Sequence, residues 1–99
     1  MVCKEDIGSV MGLAQQIHGI VEKLESVYCR RINTKSLGII EICRNIMTGS
    51  SEPLTEEQCQ NIFSEINELN LSILADAERC HPEVLPLAEQ IQDICEVWL

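Results

Sequence analysis

Aromatic side chains are nearly missing from this chain: Tyr28, Phe63 and Trp98 are the only three in 99 residues. An interior without rings has to be built from Ile, Leu and Val, whose individually small contacts add up only when they are closely packed. Proline is scarce as well. Pro53, Pro82 and Pro86 are the only three, so long unbroken helices are permitted between them. No apolar run approaches the roughly 20 residues that a membrane-crossing helix requires, and no membrane span is expected. The segment Met1-Val2-Cys3-Lys4-Glu5-Asp6 has acids where an export signal would have its apolar stretch. The expected location is therefore cytoplasmic.

Basic residues are missing from the second half. Residues 1–49 carry six Lys/Arg against five Asp/Glu, net +1, whereas residues 50–99 carry Arg79 alone against eleven acids, net −10. Such asymmetry bears on solubility and on the choice of partner rather than on fold. The length suits one domain, and a hydrophobic share of 45% argues against disorder.

The apolar pattern is helical throughout. Ile7, Val10, Ala14, Ile17, Val21, Leu24 and Tyr28 alternate at spacings of three and four, which predicts one amphipathic helix over residues 4–31. Leu37, Ile39, Ile40, Ile42, Cys43, Ile46 and Met47 form a second over 35–48, ending before Gly49. Thr55-Glu56-Glu57-Gln58 reads as a capping box, with Leu54 and Cys59 placed as a hydrophobic staple. The third stripe runs from Cys59 through Phe63, Ile66 and Ile73 to Ala77 and breaks at Cys80-His81-Pro82. A fourth helix is expected from about Pro86, burying Leu87, Ala88, Ile91, Ile94, Cys95 and Trp98. The expected fold is all-α, a four-helix bundle of two helical hairpins in the order long, short, long, short. It forms a single helical domain over 1–99: hairpin 1–49, loop 50–54, hairpin 55–99. Ile39-Ile40-Glu41-Ile42-Cys43 echoes Ile91-Gln92-Asp93-Ile94-Cys95. Either a duplicated hairpin or similar amphipathic patterning accounts for that.

The six cysteines lie at 3, 29, 43, 59, 80 and 95. A disulfide needs Cα atoms within about 7 Å. In a hairpin turning near residue 33, Cys43 lies roughly 12 Å along the axis from Cys29, and the same reasoning separates Cys80 from Cys95. Bridges between hairpins stay open. With no CxxC pair and no export signal, the expectation is reduced cysteines serving as small buried hydrophobes.

Helix 1 carries the most functional information. Its apolar arc is nearly 200° wide, where a surface helix needs roughly 100° or more. Two neighbouring helices of the same chain would cover it. Alternatively Leu13, Ile20 and Val27, spaced by sevens, form a seam for a partner helix. Gly8, Gly12 and Gly19 share the opposite face. Each costs about 1 kcal/mol relative to alanine in a helix, which suits either a frayed helix or a stripe where another backbone comes close. Glu57, Glu65 and Glu68 supply an acidic face expected to rim the seam.

Other features have plainer readings. His18, with Glu25 on the same side, has the exposure expected of a phosphocarrier histidine, but the lysine such sites use is only at Lys23. A boundary histidine explains it equally. Cys80-His81 lacks the close ligand pair of a metal site. Tyr28 to Lys35 is read as a small basic turn, too little for nucleic acid in a chain of net −9. Val97-Trp98-Leu99 suits an extended C-terminal ligand, or Trp98 belongs to the core. The functional expectation is a non-enzymatic protein–protein interaction module, an adaptor, assembly subunit or chaperone-like protein. It binds a protein partner or pairs as a homodimer through an apolar seam with an acidic rim. The predicted contact residues are Leu13, Ile20, Val27, Gly12, Gly19, Glu57, Glu65 and Glu68. No catalytic, cofactor or metal residue and no direct nucleic-acid binding is expected. The alternatives are a phosphocarrier using His18 and an acidic nucleic-acid mimic that inhibits a basic DNA-binding protein.

Overall fold

A computed structural model describes residues 3–49 and 53–99. They form four helices: α1 (Lys4–Val21), α2 (Val27–Met47), α3 (Glu56–Cys80) and α4 (Val84–Trp98). Each helix packs on the next, and α4 returns to α1. The ring closes as a four-helix bundle measuring 41 × 23 × 16 Å, with α1 diagonal to α3 and α2 diagonal to α4. The loop expected at 50–54 is described only at Pro53 and Leu54.

The best-marked boundary in the sequence is also the best-formed. The Gln58 N–H donates to Thr55 Oγ1 at 3.1 Å and the Thr55 N–H donates to Gln58 Oε1 at 2.8 Å, satisfying two donors that a helix start leaves without partners. Leu54 packs against the buried cluster that contains Cys59. At the far end His81 is extended, φ −157° and ψ 134°, as the clash with Pro82 demands. Helix α4 begins at Val84, two residues before the expected start, because Pro86 falls in the first turn, where no intrahelical N–H bond is needed.

The first hairpin turns earlier than its sequence pattern suggests. Helix α1 stops at Val21, and Ser26, with extended backbone, starts α2 by accepting the Cys29 N–H at 3.2 Å. The hairpin is thus two helices of 18 and 21 residues, followed by 25 and 15 in the second. Leu24 and Tyr28 keep the three-four rhythm across a break because both sides of the turn feed one core, so periodicity alone hides the boundary. Two corrections follow. Tyr28 to Lys35 is not a turn but the first two turns of α2. Val27 opens α2 instead of closing α1.

The expectation of reduced cysteines is overturned. Cys3 is bonded to Cys59 and Cys29 to Cys80, with Cα–Cα separations of 6.2 and 5.0 Å. The axial-distance reasoning correctly forbids bridges inside a hairpin, but both bonds run between hairpins: Cys3–Cys59 joins the starts of the diagonal helices α1 and α3, and Cys29–Cys80 joins the start of α2 to the end of α3. Cys43 and Cys95 are free and buried.

Isoleucine supplies most of the large buried side chains, as the shortage of rings requires: Ile7, Ile17, Ile32, Ile39, Ile66, Ile73 and Ile91 are fully buried beside Phe63. Phe63 lies parallel to Trp98, ring centroids 5.6 Å apart, and Trp98 Nε1–H donates to Asp6 Oδ2 at 2.7 Å. This ties α4 to both α3 and α1 and makes Trp98 part of the packing. At mid-bundle the buried Asn70 donates through Nδ2 to the Ala88 carbonyl at 2.9 Å, and its Oδ1 has no partner. An orphaned acceptor costs on the order of 1–3 kcal/mol. The retained bond fixes the register of α3 on α4.

Candidate functional site

Helix α1 has two flanks, and both are occupied by its own chain. Asp6 faces α4 through Trp98. Leu13 and Ile20 follow Asp6 at intervals of seven and share that face, where both are half-buried and packed on the core. The other flank faces α2: His18 Nδ1 lies 2.6 Å from Asn33 Oδ1. Neighbouring helices thus account for the width of the apolar arc. Val27 lies on α2 and is 59% exposed, so Leu13, Ile20 and Val27 do not line up along one helix.

The glycine stripe is bare. A Cβ added at Gly12 or Gly19 would meet nothing within 4 Å, while one at Gly8 would touch only Met47 Cε at 3.9 Å. An open groove of about 630 Å³ runs between Gln15 and His18 of α1 and Leu37, Ile40, Glu41, Arg44 and Asn45 of α2, and Gly12 and Gly19 flank Gln15 along α1. Leu37 is 44% exposed within it. Val27, Leu37 and Met47, all on α2, are half of the large apolar side chains that remain exposed among the described residues. Leu37 was expected in the core. In the true frame of α2, set by Ser26, the buried stripe is Cys29, Ile32, Ser36, Ile39, Ile40 and Cys43, and Leu37 falls beside it. Recognising Ser26 as a cap is the signal that would have found the groove.

Charge is distributed by helix. Helix α2 carries Arg30, Arg31, Lys35 and Arg44 against Glu41, whereas α3 and α4 have Arg79 as their one basic residue. Glu57, Glu65 and Glu68 are exposed on α3, diagonal to α1, so they do not rim the surface of α1. Arg31 is held by Asp76 through bonds of 3.0 and 2.9 Å, and that pairing raises its pKa. The guanidinium carbons of Arg31 and Arg79 lie 5.1 and 5.4 Å from the Tyr28 ring centroid, within cation–π range.

His18 is engaged at both ring nitrogens, by Asn33 and, through Nε2, by Glu22 Oε2 at 3.1 Å. A phosphate-accepting histidine needs a free nitrogen lone pair, and neither is presented here. Among the described residues no three His, Cys, Asp or Glu side chains gather as a metal site, and no helix is long and apolar enough to cross a membrane.

The two free thiols are set apart by burial. Loss of solvation pushes Cys43 up to about 12, with a contribution from Cys95, and Cys95 up to about 11, from an ordinary 9.0. Since the folded values lie above the unfolded one, both thiols contribute stability that is fully present below pH 9 and is lost as pH rises to about 11 to 12. Thermal midpoints are therefore expected to fall over that interval in the native protein and less steeply in a Cys43→Ala, Cys95→Ala variant. Equal slopes would contradict this. Compared with protein-family models, with curated proteins and with solved structures, the chain matches none.

Proposed function

We propose that this protein is a non-catalytic helical module that works by pairing, with a second copy of itself as first partner, through the α1/α2 face. The observation that carries this reading is the open groove of about 630 Å³ lined on α1 by Gln15 and His18, with the bare positions Gly12 and Gly19 one turn to either side of Gln15 along the helix. A helix wall without side chains lets a partner backbone approach, and Leu37 supplies apolar area to bury. Charge selects the face: two molecules of net −9 repel through α3 and α4, while α1 and α2 present both signs. Across a two-fold axis Glu41 of one copy and Arg44 of the other are available to pair reciprocally. Leu13 and Ile20, on the α4 side of α1, anchor that helix to the core, and the acids Glu57, Glu65 and Glu68 keep the outer side solvated. The two disulfides favour work in an oxidising compartment over the reducing cytoplasm.

Alanine at Gly12 and Gly19 tests the proposal, because the space there accepts a methyl group. The double variant is expected to gain roughly 1 to 2 kcal/mol of stability from helix propensity. At high concentration it should lose the wild-type excess of light-scattering mass over 11.1 kDa. Greater stability with unchanged assembly, or a wild-type protein that stays at monomer mass, removes the pairing role from this face.

A further inference from the structure

The two disulfides differ in what surrounds them. Cys3 and Cys59 are 1% and 0% exposed, sealed at one pole of the bundle. At the other pole Cys29 is 1% exposed, but its partner Cys80 is half-buried, at the last residue of α3. Only one of the four bonded sulfurs therefore belongs to a residue with appreciable solvent contact. Cys29 lies in the first turn of α2, where Ser26 caps the helix. That is the end of a helix that favours a negative sulfur.

We propose that Cys29–Cys80 is a thiol-exchange site, attacked at Cys80 and releasing Cys29, whose preferred reagent is an acidic thiol. An incoming thiolate forms a bond to Cys80 Sγ, the Sγ–Sγ bond breaks, and its electron pair leaves on Cys29 Sγ as a thiolate. The product is a mixed disulfide on Cys80. A second thiolate takes the first thiol away as a symmetrical disulfide and leaves Cys80 reduced, so two external thiolates are oxidised and one protein disulfide is reduced. Exposure selects the sulfur attacked; the start of α2 favours the departing Cys29 thiolate and the burial of Cys29 opposes it. The preference for negative reagents comes from Arg79, next to Cys80 in the chain. It lies over Tyr28 and has no carboxylate partner among the described residues, whereas Arg31 is already neutralised by Asp76. Glu78 and Glu83 are exposed nearby in the sequence and oppose this pull, so the steering is modest. The consequence is local. Opening the bond releases the junction of α3 and α4 from the start of α2, while Cys3–Cys59 still holds the hairpins together at the other pole.

The test is timed reduction of the folded protein by glutathione, a thiol of net negative charge, with acid quenching and peptide mass spectrometry. Cys29–Cys80 is expected to open about tenfold or more faster than Cys3–Cys59, with the transient glutathione adduct on Cys80. Cysteamine, a cationic thiol, should gain on glutathione by about two- to fivefold when Arg79 is replaced in Arg79→Glu. Comparable rates for the two disulfides, prior opening of Cys3–Cys59, or an adduct on Cys29 overturns the site. An unchanged glutathione-to-cysteamine ratio in Arg79→Glu overturns the preference for acidic thiols.

Discussion

Complete reduction of the protein is expected to lower its thermal midpoint by about 30 °C or more while leaving much of its helix content at low temperature. The size follows from chain entropy. Each disulfide spans more than fifty residues, with separations of 56 and 51, and closing a loop of that length contributes about 4 kcal/mol by restricting the unfolded chain. In a domain of about this size each kcal/mol moves the midpoint by about 4 to 8 °C. The two loops interleave, since Cys29 lies inside the loop closed by Cys3 and Cys59, so losing the second bond costs less than losing the first. Helices persist because the Ile-rich stripes stay amphipathic whatever the sulfur chemistry. Thermal scans followed by circular dichroism, with and without reductant, check both statements. An unshifted midpoint would mean that the disulfides restrict the unfolded state far less than their spacing implies.

Replacing Phe63 by alanine is expected to cost about 3 to 5 kcal/mol, the range for emptying a buried ring site. Phe63 is the largest fully buried side chain and the only aromatic group stacked on Trp98. In an interior with so few rings no neighbour is large enough to fill the space. The loss should also show in Trp98 itself, whose emission moves to longer wavelength as water reaches the uncovered face. Leu71→Ala is the control: Leu71 is 49% exposed on the same helix, and its truncation should change stability by no more than about 0.5 kcal/mol. Chemical denaturation read by tryptophan fluorescence measures both variants. Similar costs at the two positions would contradict the packing described for this end of the bundle.

Much of the fold is legible in the residues because local and global preferences agree. Thr55 and Gln58 announce a helix start that forms as written, and Pro82 imposes the extended His81. The turn at 22–26 is hidden for a physical reason: Leu24 and Tyr28 stay in phase with the stripe of α1, so the hydrophobic pattern crosses a break that only the Ser26 cap marks. That single displacement moves Val27 to another helix and takes Leu37 from the core to the groove. The disulfides were obscured differently. Axial distance excludes Cys29–Cys43 and Cys80–Cys95, but which ends of two hairpins meet depends on how the hairpins dock, and no spacing along the chain encodes that. Gly12 and Gly19 were recognisable as a bare stripe from their helical spacing. What lies beside them was not, because the groove is made by α2.

The most direct measurement of pairing through α1 and α2 is a series of amide correlation spectra recorded as the concentration of the native protein is raised. The amides expected to shift together are those of Gly12, Gln15, Gly19, Leu37 and Arg44, with Glu57, Glu65 and Glu68 unmoved. Shifts centred on α3 and α4, or spectra independent of concentration, would contradict the account.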